Sequence, residues 1–285
     1  MRPPGWLAAL AAAAALAGCS ATRLAYENAD LYLRWQAKSY LDVHDAQAEQ
    51  LEGGIAAFLA WHRAQALPQY VRFAEEAGAR LGRGLQRADL DWGYDSFIVQ
   101  VRYSVRAAAA RIAPLLDALD AEQIAHLEQR LAEENRKFAK EHLQGTPEER
   151  RERRLRRNLE RMEEWFGTLS ESQAARIKRY SERAPLAEEL RDRDRRRLQT
   201  EFLAMVRARA AGRHLADWAA HWERQRDPAY GAALRFNRDE YIAMLLDLDR
   251  TLSAEQRRKA IARLRGYAED FTLLARRGGA EEPAR

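Results

Sequence analysis

His214, Asp217 and His221 have the residue types and spacing of a metal site. Offsets of three and four place two imidazoles and a carboxylate on one helical face, where they could hold Zn²⁺ or a harder cation. A fourth ligand would have to come from another helix, and no established metal signature accompanies the three. No metal or other cofactor is therefore assigned, and Trp218 and Trp222 beside that face fit ordinary aromatic packing. His62, in Trp61-His62-Arg63, is a second polar residue with functional potential, set against the reading of a hydrogen-bonded structural histidine. Nucleophilic hydrolysis finds no pattern: there is no Gly-x-Ser-x-Gly and no Ser–Lys pairing with a third element. Gly82-Arg83-Gly84 lacks the preceding strand and following lysine of a phosphate loop. The carboxylate pairs Glu163-Glu164 and Glu188-Glu189 are what a solvated helix face carries.

Charge is the other source of chemistry. The chain carries 48 basic and 43 acidic residues, net +5, yet Arg150 to Arg213 alone holds nineteen basic and eleven acidic ones. That local excess polarises the sequence. Arg153, Arg154, Arg157, Arg195, Arg196 and Arg197 are its dense points, expected to face anionic headgroups, lipopolysaccharide phosphates or acidic clients. The competing reading is a solvated face of exposed Glu/Arg pairs, each worth about 0–1 kcal/mol.

The elements that would position these residues are written as helices. Asp120 to Gln123, Ser170 to Gln173 and Ser253 to Gln256 each put a cap oxygen three residues before a glutamine, the capping-box arrangement. Thr146-Pro147-Glu148-Glu149 is a fourth start, with proline at the first helical position and acids facing the helix dipole. Asp89 or Asp91 is the expected cap of a helix through Phe97, Val101 and Ile112 that Pro114 should disturb near its end. Pro68 should end or kink the pattern from about residue 45 to 66. The longest candidate follows Pro185 and runs through Leu198, Phe202 and Trp218 to Asp227-Pro228. Phe97 to Tyr103 partly alternates, but the alanine-rich register after it favours helix over strand. The expected architecture is all-α, an elongated bundle of about eight or nine helices without a sheet. The Gln openings lie 50 and 83 residues apart, an uneven interval that favours repeated helix physics over a repeated module.

Residues 1–19 supply an address: one arginine, an apolar run from Trp6 to Ala17, then Gly18 and Cys19. The run is short for a membrane span and reads as a secretory signal. Leu16-Ala17-Gly18-Cys19 resembles the bacterial lipobox, in which the cysteine becomes acylated, and Cys19 is the single cysteine of the 285 residues. The expected layout is a signal peptide over 1–18, an acylated Cys19 with a tether over 19–23, one helical domain over 24–277 and a polar tail over 278–285. Ser20 lacks the Asp of the enterobacterial retention pattern, so the expected destination is the outer membrane, on its periplasmic face.

The stretch Cys19 to Asp30 resembles the mature start of a family of proteobacterial lipoproteins known only as a domain of unknown function. The similarity continues through Trp61-His62-Arg63, Leu67-Pro68-x-Tyr70, Glu164-Trp165-Phe166-Gly167-x-Leu169-Ser170-x-x-Gln173 and Leu252-Ser253-x-Glu255-Gln256. It implies an all-helical envelope lipoprotein and supplies no activity or catalytic residue. The Leu-x-x-x-Gln openings are also similar to those of small helical periplasmic stress chaperones. The leading functional expectation is an anchored protein that binds envelope proteins or anionic polymers without turning them over, and does not bind nucleic acid. The alternatives are a cell-wall or lipid hydrolase, which converging carboxylates or histidines in a cleft would favour, and a lipid or small-ligand module, which an apolar cavity would favour.

Overall fold

The computed structural model describes residues 22–279. The expected signal peptide and lipobox, Cys19 included, and the end of the expected tail lie outside the described residues. Every regular element among the described residues is helical. A helical segment over 22–27, broken by a turn at Asn28, leads into α1 (Ala29–Leu41), α2 (Asp45–Trp61), α3 (Leu67–Gly82), α4 (Arg87–Asp117) and α5 (Ala121–Phe138). Then come α6 (Pro147–Phe166), α7 (Glu171–Arg183), α8 (Glu188–Arg207), α9 (Ala211–Ala220), α10 (Pro228–Thr251) and α11 (Ala254–Gly279). Eleven α-helices among the described residues exceed the eight or nine expected, in part because a turn invisible in the sequence divides the longest pattern.

That turn follows α8. The single helix expected from 186 to 226 breaks at 208–210, where Arg209 takes a left-handed φ of 50°. The cause lies far along the chain: the Asp117 carboxylate, at the end of α4, accepts from the Ala211 and Gly212 N–H groups at 2.7 and 2.9 Å. A carboxylate at a helix N-terminus satisfies orphan donors and opposes the helix dipole, so α9 starts afresh there. Pro68 behaves differently from expectation too. A π-turn at His62–Ala66 carries the helix past it, leaving Pro68 in the first turn of α3 where its missing N–H is tolerated. Pro114 likewise stays inside α4, Asp89 is the third residue of that helix rather than its cap, and α11 continues through Gly278-Gly279. Gly145 has φ +90°, and a Cβ there would sit 2.5 Å from Glu149 Oε2, so the turn into α6 requires glycine.

All four expected helix starts form their reciprocal bonds. Ser170 Oγ accepts from the Gln173 N–H at 3.3 Å, and Gln173 Oε1 accepts from the Ser170 N–H at 3.0 Å. Ser170→Ala should therefore cost about 1 kcal/mol and Ser170→Gly less, measured by urea denaturation. The glutamines also do something the sequence does not show: they pair across the fold. Gln173 and Gln256 exchange amide hydrogen bonds at 3.0 Å in both directions. Gln173 then donates to the Thr251 carbonyl and Gln256 to the Thr168 carbonyl. Gln123 and Gln47 repeat the pattern, donating to the carbonyls of Asp42 and Ala118. In all four cases the accepting carbonyl lies five residues before the partner glutamine. The openings of α2 and α5, and of α7 and α11, thus meet as two quasi-symmetric pairs.

Two apolar clusters fill the interior. Leu51, Leu115, Leu119, Leu127, Val206 and Leu215 centre the first, and Met162, Ile177, Tyr180, Met244 and Leu248 the second. Each fully buried leucine contributes about 1.5–3 kcal/mol. Within the first cluster α9 packs along α4, and beside the clusters α3 packs along α11.

Candidate binding cleft

Where α3 and α4 meet α6, α10 and α11, the packing leaves an apolar cleft of about 440 Å³. Its walls are largely aromatic. Phe73 on α3 stacks on Trp92 of α4 with centroids 5.3 Å apart and planes 20° apart, while Trp165 and Phe166 face from α6 and Tyr241 from α10. Two arginines sit over this lining: Arg80 Cζ is 4.1 Å from the centroid of Trp92 and Arg238 Cζ is 4.0 Å from that of Tyr94. Both are fixed by carboxylates, Arg80 by Asp89 at 2.7 Å and Arg238 by Asp91 at 2.8 Å. Asp89 also accepts from the Gln86 N–H at 2.9 Å and from Arg83 at 2.9 Å. The Gln86 N–H and the guanidiniums of Arg80 and Arg83 hold its carboxyl below the ordinary range. Burial pushes the Tyr241 phenol upward. The cleft can therefore enclose an apolar body, with cationic planes supplying orientation. Among the described residues, Asp89 is the one carboxylate lining it, already engaged in fixing its neighbours.

Gly93 stands in the cleft wall with nothing within 4 Å of a Cβ built on it. The sequence shows the relevant signal only weakly, as the aromatic cluster Asp91-Trp92-Gly93-Tyr94 near a helix start. Trp92, Arg80 and Arg238 were not singled out by sequence reasoning, because their partners come from helices far apart in the chain.

His62 occupies the π-turn and links helices by a relay. Its Nδ1 lies 2.8 Å from the Tyr26 hydroxyl, its Nε2 3.2 Å from the Tyr70 hydroxyl, and Tyr70 is 3.0 Å from Ser104 Oγ. Burial, aided by Arg63, lowers the imidazole pKa, and burial pushes the Tyr26 phenol up to about 12. Both groups are thereby held neutral near pH 7, a state suited to hydrogen-bonding two tyrosines.

His214, Asp217 and His221 do not converge on a metal position. His214 is exposed, and His221 falls beyond α9 at φ −131°, off the helical face its spacing implied. Asp217 bonds Arg224 at 2.5 Å and His221 Nδ1 at 3.0 Å, and the Arg224 guanidinium lowers its carboxyl pKa. No group of three or more His, Cys, Asp or Glu placed to hold a metal occurs among the described residues.

The arginine surface is also redistributed. Arg154 is half-buried, donating to the Ala184 and Pro185 carbonyls at 2.6 and 3.2 Å, and burial lowers its pKa. Arg197 bridges Asp194, Glu201 and the Trp222 carbonyl, and Arg195 lies 4.3 Å from the centroid of Phe138. Arg153 donates to the Gln144 carbonyl, Arg196 pairs with Asp192 at 2.8 Å, and Arg157 is exposed. The six therefore do not present one free cationic face, because several carry local charge balance inside the helix packing. Arg154→Ala should cost about 2–3 kcal/mol in urea denaturation, since two carbonyls lose a charged donor. A cost below about 0.5 kcal/mol would mark Arg154 as an ordinary surface residue.

No curated protein and no solved structure matches the chain. A family model described as a Family of unknown function (DUF6279) matches residues 39–224. That span carries Phe73, Trp92 and Trp165 of the cleft and stops before the α10 and α11 wall. With nearly two thirds of its length matched, the chain belongs to this family of unknown function.

Proposed function

We propose that this chain is an envelope lipoprotein, acylated at Cys19 and carried to the outer membrane, that binds an apolar ligand without turning it over. The observation that carries the binding reading is the aromatic cleft of about 440 Å³ with Arg80 and Arg238 lying on its rings. Its volume is within the roughly 300–1,000 Å³ of small-ligand sites, and its composition, apolar with few fixed polar groups, is that of such sites. An amphiphile with an acidic end, such as a fatty acyl chain, matches an apolar lining bordered by guanidiniums. Protein binding is favoured by a separate observation: Phe97 and Val99 on α4 are each 58% exposed.

The test uses dibrominated stearate, a heavy-atom quencher, with the full chain. Trp92 and Trp165 should be quenched saturably. Gly93→Leu should weaken that binding at least about tenfold, because the new side chain grows into open cleft space. Gly93→Ala should keep binding and gain about 0.8–1 kcal/mol of stability from helix propensity. Equal affinity in wild type and Gly93→Leu would remove the cleft as the site.

A further inference from the structure

The N-terminal helix carries a stripe that the fold leaves uncovered. Leu24, Leu31 and Trp35 are 62%, 62% and 64% exposed, with Tyr32 beside them at 57%. Leu31 and Trp35, four residues apart in α1, share one face of that helix, and Leu24 lies exposed in the helical segment just before it. The cations of the same segment pair with the body instead. Arg23 pairs with Asp270 at 3.0 Å, Arg34 with Glu52 at 3.4 Å and Lys38 with Glu52 at 3.1 Å. Large apolar and aromatic side chains thus occupy the outward face of an element whose cations are engaged behind it.

What lies against this face follows from the chain before it. Cys19 precedes Thr22, the first of the described residues, by three positions. Three extended residues reach about 10 Å at most, whereas the headgroup layer is about 5–7 Å deep on each side of the hydrocarbon. An acylated Cys19 therefore holds the start of this helix at the bilayer surface. Trp and Tyr are the side chains that settle at that boundary, with leucine reaching the acyl layer. A single lipid-modified residue also fixes position but not orientation, so a second membrane contact defines which side of the protein faces outward.

We propose that Leu24, Leu31, Tyr32 and Trp35 form a membrane-seating stripe that lays the N-terminal helix in the plane of the bilayer to which Cys19 is anchored. This rests on the lipoprotein reading above. Its ligand is the lipid surface itself.

The experiment uses full-length acylated protein carrying Leu31→Cys or Trp35→Cys, labelled with a fluorophore and reconstituted in 3:1 phosphatidylethanolamine–phosphatidylglycerol vesicles. Both positions are exposed, and with Cys19 acylated the new thiol is the labelling site; circular dichroism checks the helical fold. Lys178→Cys on α7, 62% exposed, serves for comparison. Nitroxide-bearing lipid with its spin label near the headgroup should quench the labels at 31 and 35 at least about threefold more than that at 178, as for groups seated about 5–10 Å deep. Flotation of the vesicles reports the anchor independently. Protein that floats without preferential quenching at 31 and 35 overturns the stripe and leaves the lipoprotein reading intact. Protein that does not float overturns the lipoprotein reading, and the stripe with it. Label protection that rises with the protein-to-lipid ratio would assign the stripe to a second copy of the chain and overturn the proposal.

Discussion

Replacing Asp249 with alanine should cost about 3–5 kcal/mol, the range for removing one partner of a buried, hydrogen-bonded ion pair. Asp249, near the end of α10, is buried with one oxygen 2.7 Å from Arg257 and the other accepting from the Leu85 N–H at 2.9 Å. Arg257 reaches on to the Leu81 carbonyl at 2.5 Å and to the Asp249 carbonyl at 2.8 Å. One carboxylate therefore fastens the α3–α4 connection to the α10–α11 turn, joining segments that are 164 residues apart. Without it, a guanidinium and an N–H are left in a place water reaches poorly. Asp249→Asn keeps an acceptor for Leu85 but loses the charge, so its cost should be smaller, about 1–3 kcal/mol. Urea denaturation followed by tryptophan fluorescence separates the two. A cost for alanine under about 1 kcal/mol would mean that the fastening contributes no more than an exposed ion pair.

The helices were legible where the signal is local. Asp120, Thr146, Ser170 and Ser253 open helices because cap and glutamine or glutamate lie within one turn of each other, and the chain states that directly. The break at 208–210 was not legible, since its cap, Asp117, comes from another helix 94 residues away. The passage of the helix by Pro68 was hidden for a related reason. A π-turn held by His62 contacts to Tyr26 and Tyr70 is a tertiary device, and local propensity does not encode it. The arginine count misled in the opposite direction. Composition registers the charge of Arg154 and Arg197 but not the carbonyls and carboxylates of α6–α9 that take it up. The cleft is the extreme case: its aromatic rings come from four helices, each contributing one or two that look like ordinary core.

The glutamine pair joining α7 to α11 gives the second large effect. Every hydrogen-bonding position of both side chains is filled. Gln173 Oε1 accepts from the Ser170 N–H and from Gln256, and its Nε2 donates to Gln256 and the Thr251 carbonyl. Gln256 mirrors this with Ser253 and Thr168. A buried primary amide with four partners is near the limit of what that group can satisfy. Gln173→Ala removes the return bond of one cap and strips two partners from a glutamine that is itself buried, so about 3 kcal/mol should be lost. Because the partner's amide is already unsatisfied in the single variant, Gln173→Ala with Gln256→Ala should fall short of additivity by about 1–2 kcal/mol. Gln173→Glu tests the donor specifically. It keeps the shape but turns an N–H into a second acceptor aimed at the Thr251 carbonyl and Gln256 Oε1. Its carboxyl should titrate above the ordinary range in the folded state, since only the protonated form can donate there. The stability of Gln173→Glu relative to wild type should thus be better at low pH and worsen as pH rises through the unfolded-state carboxyl range toward that raised value. Denaturation of wild type, Gln173→Ala and Gln173→Glu at pH 4 and pH 7 decides it. A Glu variant as stable as wild type at pH 7 would mean that the amide pair is not the joint between these two helix openings.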